Sequence, residues 1–226
     1  VDEDVRALVD RIRRDHGRLD VLVNDVWGGD ALTEFGKTFW QVNVANGRRM
    51  IDQAIWSHIL TSHHAVPLMF DRGRNGTGLV VEITDGDFYG YRGNIFYDLV
   101  KSTVIQLAFI QARELRKHDV AAVAVTPGFL RSEFMLEHFG VTVDTWRDGA
   151  KKDPNFIASE SPRFVGRGIA ALAADPTVKA KSGKVFASWT LANEYGFTDV
   201  DGSRPDWGAH FAQAYGARYR TFDEDF

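Results

Sequence analysis

Cysteine is absent from the 226 residues, which excludes a disulfide scaffold, a thiolate metal site and a cysteine nucleophile and gives no tie to an oxidising compartment. No apolar run approaches the roughly 20 residues that a spanning helix needs, and no charged-then-apolar leader opens the text, so neither membrane insertion nor secretion is expected. An excess of one charge is also missing. Lys plus Arg is 27 and Asp plus Glu 31, a net charge of -4, which gives no electrostatic case for nucleic acid or an anionic lipid surface. The expected compartment is the cytoplasm. A phosphate-cradling G-x-x-x-G-x-G turn occurs nowhere, and the first residue is Val1 rather than methionine. What remains is ordinary globular material, 44% hydrophobic and 26% charged, of a length that suits one domain over residues 1–226.

The hydrophobic pattern alternates between two periods. Val5, Leu8, Val9 and Ile12 recur at helical spacing between an acidic start at Asp2-Glu3-Asp4 and Gly17, which predicts a helix over residues 3–16. Leu19 to Asn24 is a short apolar run of the kind found in buried parallel strands. The alternation continues with a helix from about Ala45 to Asp71, a strand from Gly78 to Thr84, a helix from about Phe96 to Lys117 and a strand from Val120 to Thr126. A helix from Pro162 to Ala174 and a last strand near Lys184 to Ser188 close the series. Strands separated by helices of this length imply right-handed crossovers and a doubly wound parallel α/β sheet. The polar stretch at about 131–160 is longer than a connection requires and is expected to form a lid over a substrate site. Its Phe129, Met135, Phe139 and Trp146 either line an apolar pocket or pack the lid on the core.

Tyr97 and Lys101 stand at i, i+4 on the predicted helix that follows strand Gly78 to Thr84. They share a face one turn apart, so the ammonium can favour the ionised phenol and bring a group of ordinary pKa about 10 towards use near neutrality. Composition alone predicts roughly 0.2 such pairs by chance; the placement beyond the carboxyl end of a parallel strand is what raises it. His58, His63 and His64 lack i, i+4 spacing and neighbouring carboxylates in the text, so no metal site is expected. Asp199-Val-Asp201-Gly202 echoes the start of a calcium loop, lacks the downstream glutamate and is expected to be a turn.

Taken in order, these motifs resemble the classical, Rossmann-fold short-chain dehydrogenase/reductase family. Leu22-Val-Asn24-Asp25 resembles its strand end, Val42-Asn43-Val44 with Gly47 its helix start, Leu79 to Thr84 the strand leading to the catalytic serine, Tyr97 and Lys101 the active pair, and Pro127-Gly128 with Ser132 the turn after the following strand. The resemblance implies an NAD- or NADP-dependent oxidoreductase acting on a carbonyl or alcohol of a small molecule, with the choice of cofactor unspecified. Tyr97 would pass the proton, Lys101 would tune it and bind the nicotinamide ribose, and Asn43 would hold a water in the proton relay. Asn24 and Asp25 would serve the cofactor cleft, with Asn24 also bracing the central strands, and Pro127, Gly128 and Ser132 would contact the cofactor. Long helices such as 45–71 and 96–117 are those through which such folds pair, so a homodimer or homotetramer is expected.

The departures matter as much. Counting back from Tyr97 puts the family's serine on Thr84, whereas the strand end read from its own start favours Asp85; either residue is a candidate catalytic group, and Asp85-Gly86 also reads as a plain turn. The interval from Asn43 to Thr84 is longer than usual and requires an insertion, most simply around Trp56 to His64, and Asn43 also reads as a mere helix cap. Trp27 stands where a smaller residue is usual. The glycine-rich segment, with the strands around it, is absent from the text, so the Rossmann-like fold is expected to be truncated at its N-terminus as given. The alternative function is a catalytically impaired or repurposed relative that binds or assembles. A lesser option is a redox-neutral lyase or isomerase using Tyr97 and Asp85.

Overall fold

The computed structural model describes residues 2–70, 77–87 and 91–216. Its chain divides into two compact units, one comprising Val1–Thr84, Tyr91–Ala124 and Ala173–Val185, the other Asp85–Gly90, Val125–Leu172 and Phe186–Phe226.

The first unit opens with α1 (Asp2–His16), whose acidic first turn and basic last turn complement the helix dipole, and Gly17 closes it at φ 72°. Val9 on its apolar face packs with Ala65 and Leu68. Strand β1 (Val21–Asn24) follows and pairs in parallel with β2 (Gly78–Ile83), Val21 against Leu79 and Asn24 against Glu82. The sheet has the order β1-β2-β3-β4, with β3 at Val120–Thr126 and β4 at Val185–Ala187. All of β3 is buried, which is why it is written almost wholly in valine and alanine. β1 is an edge, and Val23 on it is 41% exposed.

The helix expected from Ala45 to Asp71 is interrupted. α2 (Val44–Ile51) passes into a π-helical segment at Asp52–Trp56, then α3 (Ser57–Ala65) and a 3-10 turn at Val66–Met69; Asp71 itself lies outside the described residues. A π segment takes in extra backbone without ending the helix and re-phases the faces on either side. Met50 before it and Ala54 within it pack with Val100; after it, His58 and Ser62 are turned inward to buried polar partners. The over-long interval between Asn43 and Thr84 contains this segment. α4 (Ile95–Glu114) extends by a 3-10 turn to Lys117. α2 approaches α4 so closely that a Cβ on Gly47 would lie 2.3 Å from the Phe96 ring. Gly47→Ala is therefore expected to lower stability by about 1–3 kcal/mol despite alanine's better helix propensity; an unchanged melting temperature would show that Phe96 yields without cost.

The second unit holds α5 (Glu133–Phe139), α6 (Pro162–Ala174, whose last residues pass into the first unit), α7 (Ser188–Tyr195) and α8 (Trp207–Tyr215). The stretch at 131–160 is more ordered than its polarity suggests. Short 3-10 turns at Trp146–Lys151 and Pro154–Ala158 join α5, and Phe139, Trp146 and Phe156 form a small aromatic core with Phe129 and Met135 against it. Those aromatic residues serve packing within the unit. The last strand is shorter than expected, because Ser188 starts α7. The calcium-like sequence is a turn: Gly202 donates to the Asp199 carbonyl at 3.1 Å with φ 81°. Among the described residues no helix is long and apolar enough to cross a membrane.

Candidate functional site

In the first unit the site grows from the start of α4. Asn94 caps the helix, its Oδ1 accepting from the Phe96 and Tyr97 amides at 2.9 and 3.1 Å, while its Nδ2 donates to the Glu34 carbonyl. Tyr97 is thereby fixed in the first turn. One turn later, the Lys101 carbonyl accepts from Thr84 Oγ1 at 2.7 Å, which ties the end of β2 to the helix. The two half-buried side chains come together: Lys101 Nζ lies 5.6 Å from the centre of the Tyr97 ring and 4.2 Å from that of Trp27. The rings of Trp27 and Tyr97 meet edge to face at 5.3 Å. Asp25 joins this group electrostatically. Partial desolvation raises its carboxyl pKa, against the opposing pull of Lys101 and His58.

The other predicted residues of this unit are placed as follows. Thr84 is buried, and its hydroxyl proton is given to the Lys101 carbonyl. Asn43 is the exposed N-cap of α2, accepting from the Ala45 and Asn46 amides at 2.9 and 3.4 Å. Asn24 braces the strands: its Nδ2 donates to Glu82 Oε1 at 2.8 Å and to Ser62 Oγ at 2.9 Å. Glu82 is wholly buried and also accepts from Gln111 Nε2 at 2.8 Å, with His58 Nδ1 at 2.8 Å from its other oxygen. The Val26 carbonyl, 3.1 Å from His58 Nε2, can only accept, so Nε2 donates to it and one proton is left on the axis between His58 Nδ1 and Glu82. The text shows no carboxylate close to the histidines in sequence, but the fold supplies one to His58 from β2 and one to His64 from Asp2. No group of three or more His, Asp or Glu able to hold a metal occurs among the described residues.

In the second unit, Asp85 and Gly86 form a turn, Gly86 at φ 81°. The Gly86 amide donates to Thr126 Oγ1 at 2.7 Å, and that hydroxyl donates on to the Pro127 carbonyl, so the Asp85 turn and the Pro127-Gly128 turn are joined through one side chain. Ser132 caps α5, accepting from the Met135 amide.

Glu160, which sequence reasoning missed, is wholly buried beside this turn. Its Oε2 accepts from the Gly128 amide at 2.9 Å and from Ser188 Oγ at 2.5 Å, while its Oε1 has no partner among the described residues. Burial pushes its pKa up to about 7, with Ser188 and Gly128 pulling down, Asp199 adding to the rise and Arg131 opposing it. Gly128 must be glycine here: a Cβ would lie 2.7 Å from Trp207 Cβ and 3.0 Å from Glu160 Oε2. Arg131 and Asp199 form a buried ion pair at 2.9 Å that also takes in Ser161. For Asn94 the available signal was an asparagine just ahead of the helical pattern; Glu82 and Glu160 have partners too distant in sequence to be read from the text.

The parallel sheet and its helices define a Rossmann-type α/β fold, and solved proteins bear this out. The ligand-free aldohexose dehydrogenase of Thermoplasma acidophilum superposes with a TM-score of 0.66 at 19% identity, covering 83% of this chain and 72% of that one. ElxO, solved with NADP bound, gives 0.65 at 21% identity over 82% of this chain and 72% of its own. Residues 1–179 match the protein family described as enoyl-(acyl carrier protein) reductase. The mouse (Mus musculus) protein "Dehydrogenase/reductase SDR family member 1" is 34% identical over 206 residues, which cover 89% of this chain and 64% of the relative. The chain belongs to the short-chain dehydrogenase/reductase family and spans just under two thirds of the length of that curated relative.

Proposed function

We propose that the protein is an NAD- or NADP-dependent oxidoreductase that reduces a carbonyl or oxidises an alcohol on a small molecule, with Tyr97 as proton donor or acceptor. The observation that carries the reading is the Lys101 ammonium fixed beside the Tyr97 ring on a helix whose start is capped at Tyr97 itself. A cation at that place favours the phenolate and so shifts proton transfer towards neutral pH. Within the first unit the fit to a nicotinamide nucleotide lies in Lys101, whose held ammonium suits ribose hydroxyls. Lys101, Asn24, Asp25, Pro127, Gly128 and Ser132 are the positions that the family pattern assigns to holding it. When bound, the cofactor supplies or takes the hydride. The chain's own part is to hold the phenol proton at Tyr97 Oη, keep Lys101 charged next to it and stiffen the strand ends through Asn24 and Glu82. The exposed Ile95, Leu99, Phe109 and Ile110 on α4 are the surface through which the proposed homodimer or homotetramer would pair.

One observation favours the non-catalytic alternative. Thr84 has already given its hydroxyl proton to a backbone carbonyl, so it does not offer the hydrogen bond that the family's serine gives a substrate oxygen. Fluorescence titration of the intact protein with NADPH and NADH separates the two readings. Saturable binding of one nucleotide is expected, weakened about tenfold by Lys101→Ala through the loss of one charge-assisted contact. No saturable binding of either would end the oxidoreductase reading and leave the binding module.

A further inference from the structure

Trp27 is the least expected residue of the strand-end motif, and the structure constrains its indole on four sides. Nε1 donates to Asp30 Oδ1 at 2.8 Å. Gly29 lies so close beneath the ring that a Cβ there would be 2.3 Å from an indole carbon. The Tyr97 ring meets it edge to face, and Lys101 Nζ stands over its face at 4.2 Å. Lys101 carries a flexible four-carbon stem, and holding its head in one place costs side-chain entropy.

We propose that Trp27 is a positioning residue for the reaction assigned to Tyr97: its π-face holds the Lys101 ammonium beside the phenol. The inference rests on the reading of Tyr97 and Lys101 as the acid/base pair. The physical advantage of an aromatic face is that it attracts a cation without carrying charge of its own. A carboxylate in the same place would neutralise the ammonium and oppose a phenolate. Indole cannot do either, because its single polar atom is a donor and is committed to Asp30. Among the described residues, the charged and titratable groups around Lys101 include Tyr97 on its own helix and Asp25 in the loop after β1, with His58 of α3 acting on Asp25. Asp25 is the group that would draw the ammonium away from Tyr97 once the indole is removed. Desolvation shifts its carboxyl upward, and Lys101 and His58 pull the other way.

The test needs no substrate. The intact protein is labelled with 13C at lysine Cε and tyrosine Cζ, and the two resonances are assigned by their loss in Lys101→Arg and Tyr97→Phe. The Lys101 methylene signal should be displaced upfield by the indole ring current. In Trp27→Leu it should lose that upfield displacement, and the Tyr97 titration midpoint should rise by about one pH unit, the size of a partly desolvated cation–π contact. Trp27→Phe, which keeps an aromatic face, should restore most of both. Should Trp27→Leu fail to fold by circular dichroism, Asp30→Ala keeps the indole and cuts only its tether, and the Lys101 signal should then broaden or move. Unchanged Lys101 and Tyr97 signals in a folded variant overturn the proposal. If those signals shift as expected in a protein that binds neither NADPH nor NADH, the assigned geometry stands and the oxidoreductase reading falls; unshifted signals in a protein that does bind a nucleotide sink the Trp27 assignment alone.

Discussion

Tyr97→Phe is expected to lower turnover by about 10²- to 10⁴-fold, the usual contribution of a positioned general acid, while leaving nucleotide affinity nearly unchanged. The asymmetry follows from where the atoms lie. The substitution removes one oxygen and keeps the ring that packs edge to face on Trp27 and against Phe35 at 5.8 Å, so the frame around Lys101 is retained. It leaves the Lys101 side chain, to which the cofactor contact is assigned, untouched. The measurement is a rate comparison over a panel of aldehydes and ketones with whichever nucleotide the titration selects, together with the nucleotide affinity of the same variant. A phenylalanine enzyme turning over at the parent rate would show that the proton comes from another group, and Asp85, half-buried in the turn joined to Pro127, is the first one to remove next.

Glu160→Gln is expected to change the pH dependence of stability more than any other single substitution. The Glu160 carboxyl is held at about 7 by burial, against an ordinary value of 4.5. A carboxyl raised in the folded state contributes stability that is fully present below the unfolded value and is lost as pH climbs through the folded one. The loss therefore runs from about pH 4.5 to above pH 7, and it amounts to about 3 kcal/mol at one pKa unit per 1.36 kcal/mol. Glutamine is the neutral counterpart of the protonated acid and does not titrate. Its amide oxygen can still accept from Gly128 and Ser188, and any cost of its unpaired amide group is the same at every pH. The melting temperature of the variant should thus gain on the parent by on the order of 5–10 °C between pH 5 and pH 8. Parallel curves for the two proteins would mean that Glu160 does not take up its proton in this range.

Much of the framework was legible because it follows from one-dimensional patterns. The strand at Val120 to Thr126 and the helix at Pro162 to Ala174 are found where the apolar periodicity placed them, since a strand buried on both faces leaves an uninterrupted apolar run and an amphipathic helix a stripe. The proximity of Tyr97 to Lys101 was readable from helical spacing alone. The π-helical segment at Asp52–Trp56 was not, because an added residue inside a helix changes phase without changing composition. α8 went unread although Asp206 caps it at the Ala209 amide, since its pattern is short and follows a run of turn residues. The polar partners were hidden for a different reason. Glu82 meets Asn24 and His58, and Glu160 meets Gly128 and Ser188, across separations that only the fold closes, so no local rule distinguishes either glutamate from a surface one.

The carboxylate at Glu82 has a consequence for how the sheet is assembled. β1 and β2 meet through Val21 to Val23 on one strand and Leu79 to Val81 on the other, a ladder so uniform that a two-residue slip would exchange one set of aliphatic contacts for a nearly equal one. The bond from Asn24 to Glu82 removes that degeneracy. With Glu82 opposite Asn24 both buried groups are paired; a slipped alignment takes the Asn24 amide from the acid and leaves it short of a partner in the interior, at a cost of about 1–3 kcal/mol. The buried acid thus acts as a vernier for strand alignment, admitting a single setting where hydrophobicity alone would tolerate several.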